Sequence, residues 1–228
     1  MDLSNYKPRP APGDVLLTRP GADLRLEPFD WAQHGKGLTA CLAGAKNAPL
    51  WTYMPSGPFS GDTDLKTAFD RWATIAGWKI MVIISAENDK VLGMASYMRI
   101  RRNHGSAEVG CITFGSTLQR TTHATLAMYL MAKHIFEDLG YRRYEWKCNS
   151  ENEASKRAAT RLGFQYEGLF RNDMVVKNCN RDTAWYSIID TEWPIIKAGF
   201  KTWLSPDNFD QTGHQIRTLE NCRKSRKI

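Results

Sequence analysis

The sequence predicts an α+β fold, in which helices flank a mixed, twisted β-sheet of six or seven strands. The elements follow the order strand, two helices, three strands, helix, strand, helix, two strands. Period-two alternation and one nearly continuous apolar run mark the strands, whereas wider apolar spacing marks the helices. With 228 residues, 42% of them hydrophobic and 24% charged, the chain has a globular composition and can bury a sizeable core.

The N-terminal third combines an extended arm with one strand and two helices. Residues 1–22 hold four prolines and read as the arm, after which ADLRLEPF alternates like a first strand. A helix follows at Trp31–Leu42, and the Pro- and aromatic-rich PLWTYMPSGPFSGD reads as a structured loop. Asp62 or Thr63 is expected to cap the next helix, which ends before Gly77.

Three strands are predicted in the middle of the chain. WKIMVIIS is almost entirely apolar, as a strand buried on both faces should be. VLGMASYMRI and SAEVGCITF are two more strands, and the short polar RRNHG between them indicates an antiparallel meander.

A helix is predicted after LQRTTHATLA, with Gly140 as its stop signal. Its apolar stripe is Leu126, Leu130, Met131, Ile135 and Leu139. RRYEWKC is the strand that follows, so a strand–helix–strand unit spans 106–148.

The remaining elements are a helix, two strands and a C-terminal helix. SENEASKRAATRLGF has Ser150 and Glu153 at capping-box spacing and ends at Gly163. FQYEGLFR and TAWYSII are the last two strands, and a helix starts near Pro194. We therefore divide the chain into an arm (1–22), a central domain (23–190) and a helical extension with a basic tail (191–228).

The formal net charge of +7 is concentrated in RIRRNH, YRRYEWK and CRKSRKI. This pattern fits nucleic-acid binding, a solvated surface with a disordered basic tail, or attraction of a small polyanion. The motifs below favour the small polyanion over nucleic acid.

Composition also bears on metals, membranes and compartment. The five cysteines form no CxxC pair, so we expect neither a metal site nor a disulfide framework. No apolar run approaches the roughly 18 residues of a membrane span, and the N-terminus lacks the apolar region of a signal peptide. A cytoplasmic protein, monomeric or homodimeric, is the expectation.

The stretch LQRTTHATLA raises the possibility of a phosphate site, because a strand that feeds directly into a helix presents unpaired N–H groups. Here the sequence resembles the GNAT acetyltransferases, and within them the RimJ/RimL-like branch. The family's pyrophosphate loop, Gln/Arg-x-x-Gly-x-Gly/Ala, corresponds to Gln119-Arg-Thr-Thr-His-Ala124. Asn152-x-x-Ser155, followed by Gly163-Phe164, and the strand motif Glu108-x-Gly110 also match.

The resemblance, which spans about Leu24 to Ile189, implies the GNAT fold and acetyl-CoA as acetyl donor. The donor would enter between two parallel strands that splay apart. Amides of Ile112 and Thr113 would hold the acetyl carbonyl, and Asn152 would reach the pantetheine. The expected phosphate contacts are Gln119, Arg120, Thr121, Thr122, His123, Ala124 and Thr125.

Thr122 departs from the family pattern, which has glycine there. A side chain is tolerated if residue 122 keeps helical dihedrals, and the hydroxyls of Thr121 or Thr122 can cap the helix or donate to phosphate. The alternative is that the two threonines only cap a helix and that acetyl-CoA binding has been lost.

The chemistry implied is attack of a primary amine on the thioester. Glu108 is the candidate base, and Ser155 the candidate proton relay, because Ala159 stands where many GNAT enzymes place a tyrosine acid. Each residue also has a purely structural interpretation: Glu108 as a structural carboxylate, and Ser155 as an ordinary exposed serine of a helix. Cys111 is a possible nucleophile, but also an ordinary strand cysteine. We expect an α-amine acceptor.

LWTYMPSGPF resembles an aromatic-rich loop of a RimJ/RimL-like subgroup. Trp51, Tyr53 and Phe59, with Phe209, could wall an acceptor pocket; simple loop packing is the alternative. Two other functions remain open from the sequence: a non-catalytic CoA-binding module and a basic RNA-associated protein.

Overall fold

The computed structural model describes residue 4 and residues 6–224, and contains one seven-stranded mixed sheet. The strand order is β1-β2-β3-β4-β5-β7-β6, and all neighbours are antiparallel except β4 and β5. The predicted fold class is therefore confirmed. The strands are β1 (Leu24–Pro28), β2 (Lys79–Ser85), β3 (Val91–Arg101), β4 (Ser106–Phe114), β5 (Arg143–Asn149), β6 (Gln165–Val176) and β7 (Cys179–Ile189).

Helices cover both faces of the sheet, and each face has its own core. The first core lies under α3, α5 and α6, and the second under α1 and α2. Strand β2 serves both, because Met81 and Ile83 belong to the first core and Ile80 and Val82 to the second. The helices are α1 (Trp31–Leu42), α2 (Asp62–Thr74), α3 (Thr122–Lys133), α4 (Glu153–Leu162), α5 (Trp193–Trp203) and α6 (Leu219–Lys224).

Helix α3 is the helix predicted after LQRTTHATLA, and it is buried on more sides than the predicted apolar stripe. Its residues from Thr125 to Ala132 are all buried, and a π-helical segment, His134–Asp138, continues it. Gly140, with φ of +67°, ends the segment as predicted.

Two helix starts differ from the prediction. Helix α2 is preceded by Gly61, and Asp64 accepts the N–H groups of Ser60 and Gly61, so neither Asp62 nor Thr63 is the cap. Helix α4 is capped by Asn152 rather than Ser150. In both cases a neighbouring side chain accepts the N–H groups instead: the Asp64 carboxylate at α2 and the Asn152 amide oxygen at α4.

The last two strands are longer than predicted and form a hairpin. Their turn is Lys177–Asn178, and both residues have positive φ, 51° and 63°. A two-residue turn of this kind matches the twist of the flanking strands. The polar run RNDMVVKNCNRD hid this extension, because its asparagines and aspartates also suit a loop.

The C-terminal segment is ordered as far as Lys224. Arg223 of α6 donates from Nη1 to the carbonyl of Arg161 at 2.5 Å, which ties the extension to α4. A disordered basic tail, one of the three interpretations of the charge pattern, is therefore wrong up to this point, and residues 225–228 lie outside the described residues. Residues 1–3 and 5 of the predicted arm lie outside them as well.

Candidate active site

The candidate site begins where β4 and β5 part. The two strands pair in parallel from Ser106 and Arg143 to Val109 and Trp146. Beyond these residues β4 pairs only with β3, whereas β5 pairs with β7. The splay predicted from the resemblance is thus present, and it leaves an opening in the middle of the sheet.

A β-bulge in β4 lies beside this opening. Cys111 and Ile112 stand opposite the single residue Ala95 of β3, and Cys111 has a φ of +47°. A bulge re-aims the backbone and side chains around it. The amides of Ile112 and Thr113, predicted to hold an acetyl carbonyl, therefore occupy the part of β4 that β5 no longer covers.

The loop between β4 and α3 is braced by the first predicted phosphate residue. Gln119 donates from Nε2 to the carbonyl oxygen of Phe114 at 2.8 Å. Arg120 follows in the left-handed conformation, with a φ of +61°, and its side chain is exposed. Gln119 thus holds the loop against the strand, and Arg120 turns the chain into the helix.

Thr121 is the N-cap of α3. Its Oγ1 accepts the N–H of Ala124 at 3.1 Å and donates to the carbonyl of Leu118 at 2.7 Å. The cap consumes the Ala124 amide, so this predicted phosphate contact cannot be made through that N–H while the cap persists.

Three other amides at this helix start are free. The N–H groups of Arg120, Thr122 and His123 donate to no group among the described residues. Thr122 is the first residue of α3 and has no positive φ, so its side chain creates no conformational conflict. Free amides at the positive end of a helix dipole suit a phosphate. The backbone therefore fits the pyrophosphate of acetyl-CoA without a glycine at 122.

The other two residues of this stretch have separate surroundings. The Nε2 of His123 lies 3.9 Å from an Asp23 carboxylate oxygen. Thr125 is buried, and its Oγ1 accepts a hydrogen bond from Nη1 of Arg161 at 3.1 Å. The Thr125 side chain thus joins α3 to α4 instead of facing the free amides.

The start of α4 lies on the β5 side of the opening. Asn152 accepts the N–H of Ser155 at 3.0 Å, and Ser155 Oγ accepts the indole N–H of Trp146 at 3.0 Å. Oγ acts as an acceptor in that contact, and the Ser155 hydroxyl also hydrogen-bonds the Cys148 thiol, where it opposes the rise in pKa that burial causes. Asn152 is committed to capping through Oδ1, which leaves its NH₂ group for other contacts.

Glu108 is almost fully buried, and its two oxygens have different surroundings. Oε2 lies 2.6 Å from Nη1 of Arg99 and 2.9 Å from Nζ of Lys147. Oε1 has no hydrogen-bond partner among the described residues and lies over Gly110, where an added Cβ would be 3.1 Å from it. One oxygen is therefore held by cations, and the other is free beside the bulge.

A second buried carboxylate, Glu145, extends this cluster along β5. It forms ion pairs with Lys147, Arg101 and Arg143 at 2.9, 2.6 and 2.7 Å. Burial alone would raise the pKa of Glu145, but hydrogen bonds from Arg143 and Lys147 outweigh burial and lower it. The basic stretches RIRRNH and YRRYEWK contain these cations, but their pairing with the buried carboxylates depends on cross-strand register, which cannot be read from one strand.

Two of the three predicted acceptor aromatics are core residues. Trp51 is fully buried, donates its indole N–H to the carbonyl of Leu42 at 2.9 Å and packs edge-on against Phe59. Phe59 is 8% exposed, whereas Tyr53 is 36% exposed. In this conformation only Tyr53 offers ring surface to an acceptor. Phe209, which packs on Trp203 in the first core, does not join this group.

Cys111 has an environment that disfavours a thiolate. Burial raises the pKa of its thiol far above the usual value. A neutral thiol is a poor nucleophile, so the structural interpretation of this cysteine fits better.

The described part of the chain contains neither a metal-binding cluster nor a membrane-spanning helix. No group of three or more His, Cys, Asp or Glu residues there is placed to hold a metal ion. Within the same ranges, no helix is long and apolar enough to cross a membrane.

The chain matches the family model of the acetyltransferase (GNAT) domain over residues 24–165. A crystal structure of a GCN5-related N-acetyltransferase from Brucella melitensis is 38% identical, with a TM-score of 0.92. The alignment covers 97% of this chain and 100% of that one.

Two more distant proteins are also similar to this chain. The Bacillus subtilis (strain 168) protein named "Putative ribosomal N-acetyltransferase YdaF" is 24% identical over 63% of this chain and 78% of its own length. A spermidine N-acetyltransferase from Vibrio cholerae, solved with CoA and spermine, is 16% identical with a TM-score of 0.62, over 75% of this chain and 98% of that one.

Proposed function

This chain belongs to the acetyltransferase (GNAT) family, and from that premise we propose how it selects and acetylates its acceptor. It is an acyltransferase that moves an acetyl group from acetyl-CoA to a primary amine. The roles of individual residues, the class of amine and the order of events are the proposal.

The donor site combines the strand opening with the start of α3. Free amides of Arg120, Thr122 and His123 bind the pyrophosphate, and the exposed Arg120 guanidinium adds a charge-assisted contact. Bound acetyl-CoA supplies a thioester carbonyl carbon. Amides at the β4 bulge stabilise the negative charge that develops on the carbonyl oxygen during attack.

Glu108 is the general base, and its free Oε1 is the observation that carries the proposal. As nitrogen forms its bond to the carbonyl carbon and the carbon–sulfur bond breaks, Oε1 takes a proton from the amine, directly or through water. Arg99 and Lys147 hold Oε2, so the carboxylate cannot rotate freely. Gly110 leaves the space that Oε1 needs.

The departing thiolate needs a proton, and Ser155 is the relay. Oγ accepts from Trp146, so the hydroxyl proton can turn from the Cys148 thiol to the departing thiolate when the donor is bound. A serine hydroxyl is a weak acid, so it passes on a proton from solvent instead of supplying one by itself. We therefore expect a smaller contribution from Ser155 than from Glu108.

The acceptor is an α-amine rather than a lysine side chain. At pH 7, deprotonating an ε-amine costs about 4.6 kcal/mol, whereas an α-amine costs about 1–1.4 kcal/mol. A single carboxylate base and a hydroxyl relay are modest helpers, so they suit the amine that is already close to neutral. The name of the Bacillus subtilis relative, a ribosomal N-acetyltransferase, also supports acylation of a peptide-like amine.

Transfer takes place in a ternary complex, without an acetyl-cysteine intermediate. Burial keeps the Cys111 thiol protonated, so direct attack by the amine is the easier route. A monomer or homodimer in the cytoplasm, acting without nucleic acid, remains a prediction.

Initial rates with acetyl-CoA and a panel of amines test this function, with thiol release as the signal. We expect turnover with α-amines, at least tenfold slower turnover with matched ε-amines, and intersecting double-reciprocal lines. Parallel lines would contradict direct attack. CoA binding without thiol release from any amine would identify a non-catalytic CoA-binding module instead, and tight, salt-sensitive binding of an oligonucleotide would favour an RNA-associated protein.

A further inference from the structure

We infer that Arg181 is the anion-binding residue of the acceptor site, and that the acceptor is an amine that also carries a carboxylate, as a free amino acid does. This inference rests on the proposed function and narrows its substrate class.

Arg181 lies on the face of the sheet that carries Glu108. Thr183 pairs with Asn149 across β7 and β5, just past the point where β5 leaves β4, and Arg181 is two residues further along on the same face. Its Nε donates to Oγ1 of Thr183 at 3.2 Å, so the side chain runs back along β7 toward Trp185. The guanidinium therefore lies beside the opening that receives the acetyl group.

The guanidinium has no ion-pair partner. No carboxylate oxygen of the described residues lies within 4.0 Å of it, although Asp173 and Glu108 attract it from farther away. Asp182, its sequence neighbour, accepts from the Asn172 amide and the Asn180 side chain instead. Both Nη groups are thus left without an acceptor in the part of the chain that the structure describes.

Partial burial makes this arrangement costly for the free protein. Burial lowers the pKa of Arg181, yet arginine stays charged, so its charge is partly desolvated and compensated only by the Thr183 hydroxyl and by carboxylates that are not in contact with it. An anion that enters the site would restore the lost interactions. A carboxylate suits best, since it can accept from both Nη groups at once.

The rest of this face also favours an anion. Four cations, Arg99, Arg101, Arg143 and Lys147, share three carboxylates, Glu108, Glu145 and Glu167. That cluster already has an excess of positive charge, and Arg181 adds to it. Such a surface attracts an amine with an attached carboxylate more than it attracts a polycation.

The β6–β7 hairpin, on which Arg181 lies, closes over this face. At its tip, Lys177 donates from Nζ to the carbonyl oxygen of Trp51 at 2.6 Å, which links the hairpin to the loop before α2. The Phe170 and Trp185 rings lie 4.4 Å apart between centroids, and the Trp185 indole N–H is buried with no hydrogen-bond partner among the described residues. The hairpin thus brings an aromatic pair and an unpaired donor to the face that carries Arg181.

Matched pairs of acceptors test the inference: an α-amino acid and its α-carboxamide, compared by kcat/KM in the wild type, Arg181→Gln and Arg171→Gln. Arg171 is an exposed arginine of the same hairpin that forms no ion pair in the described chain, so it controls for loss of positive charge. Binding of the same pairs to the CoA complex, measured by calorimetry, requires no turnover.

We expect the wild type and Arg171→Gln to prefer the acid by about 10- to 100-fold, as a hydrogen bond to a charged group would give. Arg181→Gln should lose this preference and retain its activity on the amide. Equal binding and equal kcat/KM for acid and amide in the wild type would overturn the inference while leaving acetyl transfer intact. Selective binding of the acid without any turnover would support the anion site and overturn the proposed function.

Discussion

Nζ of Lys147 lies 2.9 Å from Oε2 of Glu108 and the same distance from Oε2 of Glu145. The ammonium group also lies 3.7 Å from the centroid of the Trp185 ring, and the side chain is only 5% exposed. One buried cation thus fixes two buried carboxylates. Because it binds Glu108 through one oxygen alone, the other oxygen stays free for chemistry.

Removing this cation should destabilise the protein strongly. Lys147→Met leaves two buried carboxylates with fewer partners, and breaking a buried pair from one side costs about 3–5 kcal/mol. The matched control is Lys66→Met, which removes an exposed pair with Asp70, worth about 0–1 kcal/mol. Urea unfolding measures the free energy of unfolding of both variants. Equal losses would show that burial does not make the Lys147 ion pairs more stabilising than an exposed pair.

Charge reversal at Arg120 should weaken acetyl-CoA binding only moderately. Arg120→Glu replaces one charge-assisted contact by repulsion, yet the amides of Arg120, Thr122 and His123 remain. We expect a loss of about 1–3 kcal/mol by calorimetry. Arg157→Glu, on the exposed surface of α4, is the control and should change the affinity less. An unchanged affinity in Arg120→Glu would place the pyrophosphate elsewhere.

Stability at acid pH should depend on Glu145. Its pKa is lower in the folded protein than its ordinary value of 4.5, so its contribution is present above that value and is lost as the pH falls through the folded pKa. The stability gap between wild type and Glu145→Gln should therefore shrink below about pH 4.5. Unfolding titrations at several pH values measure this gap. Glu151→Gln, an exposed carboxylate, is the control, and a Glu145→Gln gap that does not change with pH would contradict the ion pairs.

The sheet was predictable because its signals are local. Alternation in ADLRLEPF and the apolar run WKIMVIIS mark strands wherever they pair, and Gly140 and Gly163 end helices by their own conformation. The free amides at the start of α3 were predictable because a strand there runs directly into a helix. The two wrong caps, at α2 and α4, arose because several capping residues stand side by side and sequence does not rank them.

The charge cluster was not predictable, because it depends on register. Glu108 and Glu145 lie opposite each other only through the parallel pairing of β4 and β5, and from β3 Arg99 reaches Glu108 and Arg101 reaches Glu145. Each appears in the sequence as a polar residue on a strand. The role of Arg181 could not be predicted for a similar reason, because it lies in a polar run whose residues also suit a loop. Only the Lys177–Asn178 turn shows that this run forms the ends of two strands.

The most direct test of the account is the pH dependence of kcat/KM for an α-amine acceptor, in the wild type, Glu108→Gln and Ser155→Ala. If Oε1 of Glu108 is the base, Glu108→Gln should lose about 10²- to 10⁴-fold in rate, together with the acid limb of the wild-type profile, along which the rate rises as the base loses its proton, and retain its affinity for acetyl-CoA. Ser155→Ala should lose less, since water can replace a hydroxyl relay. A Glu108→Gln enzyme with an unaltered rate and profile would contradict the claim, and would leave a site that acts by positioning and oxyanion stabilisation alone.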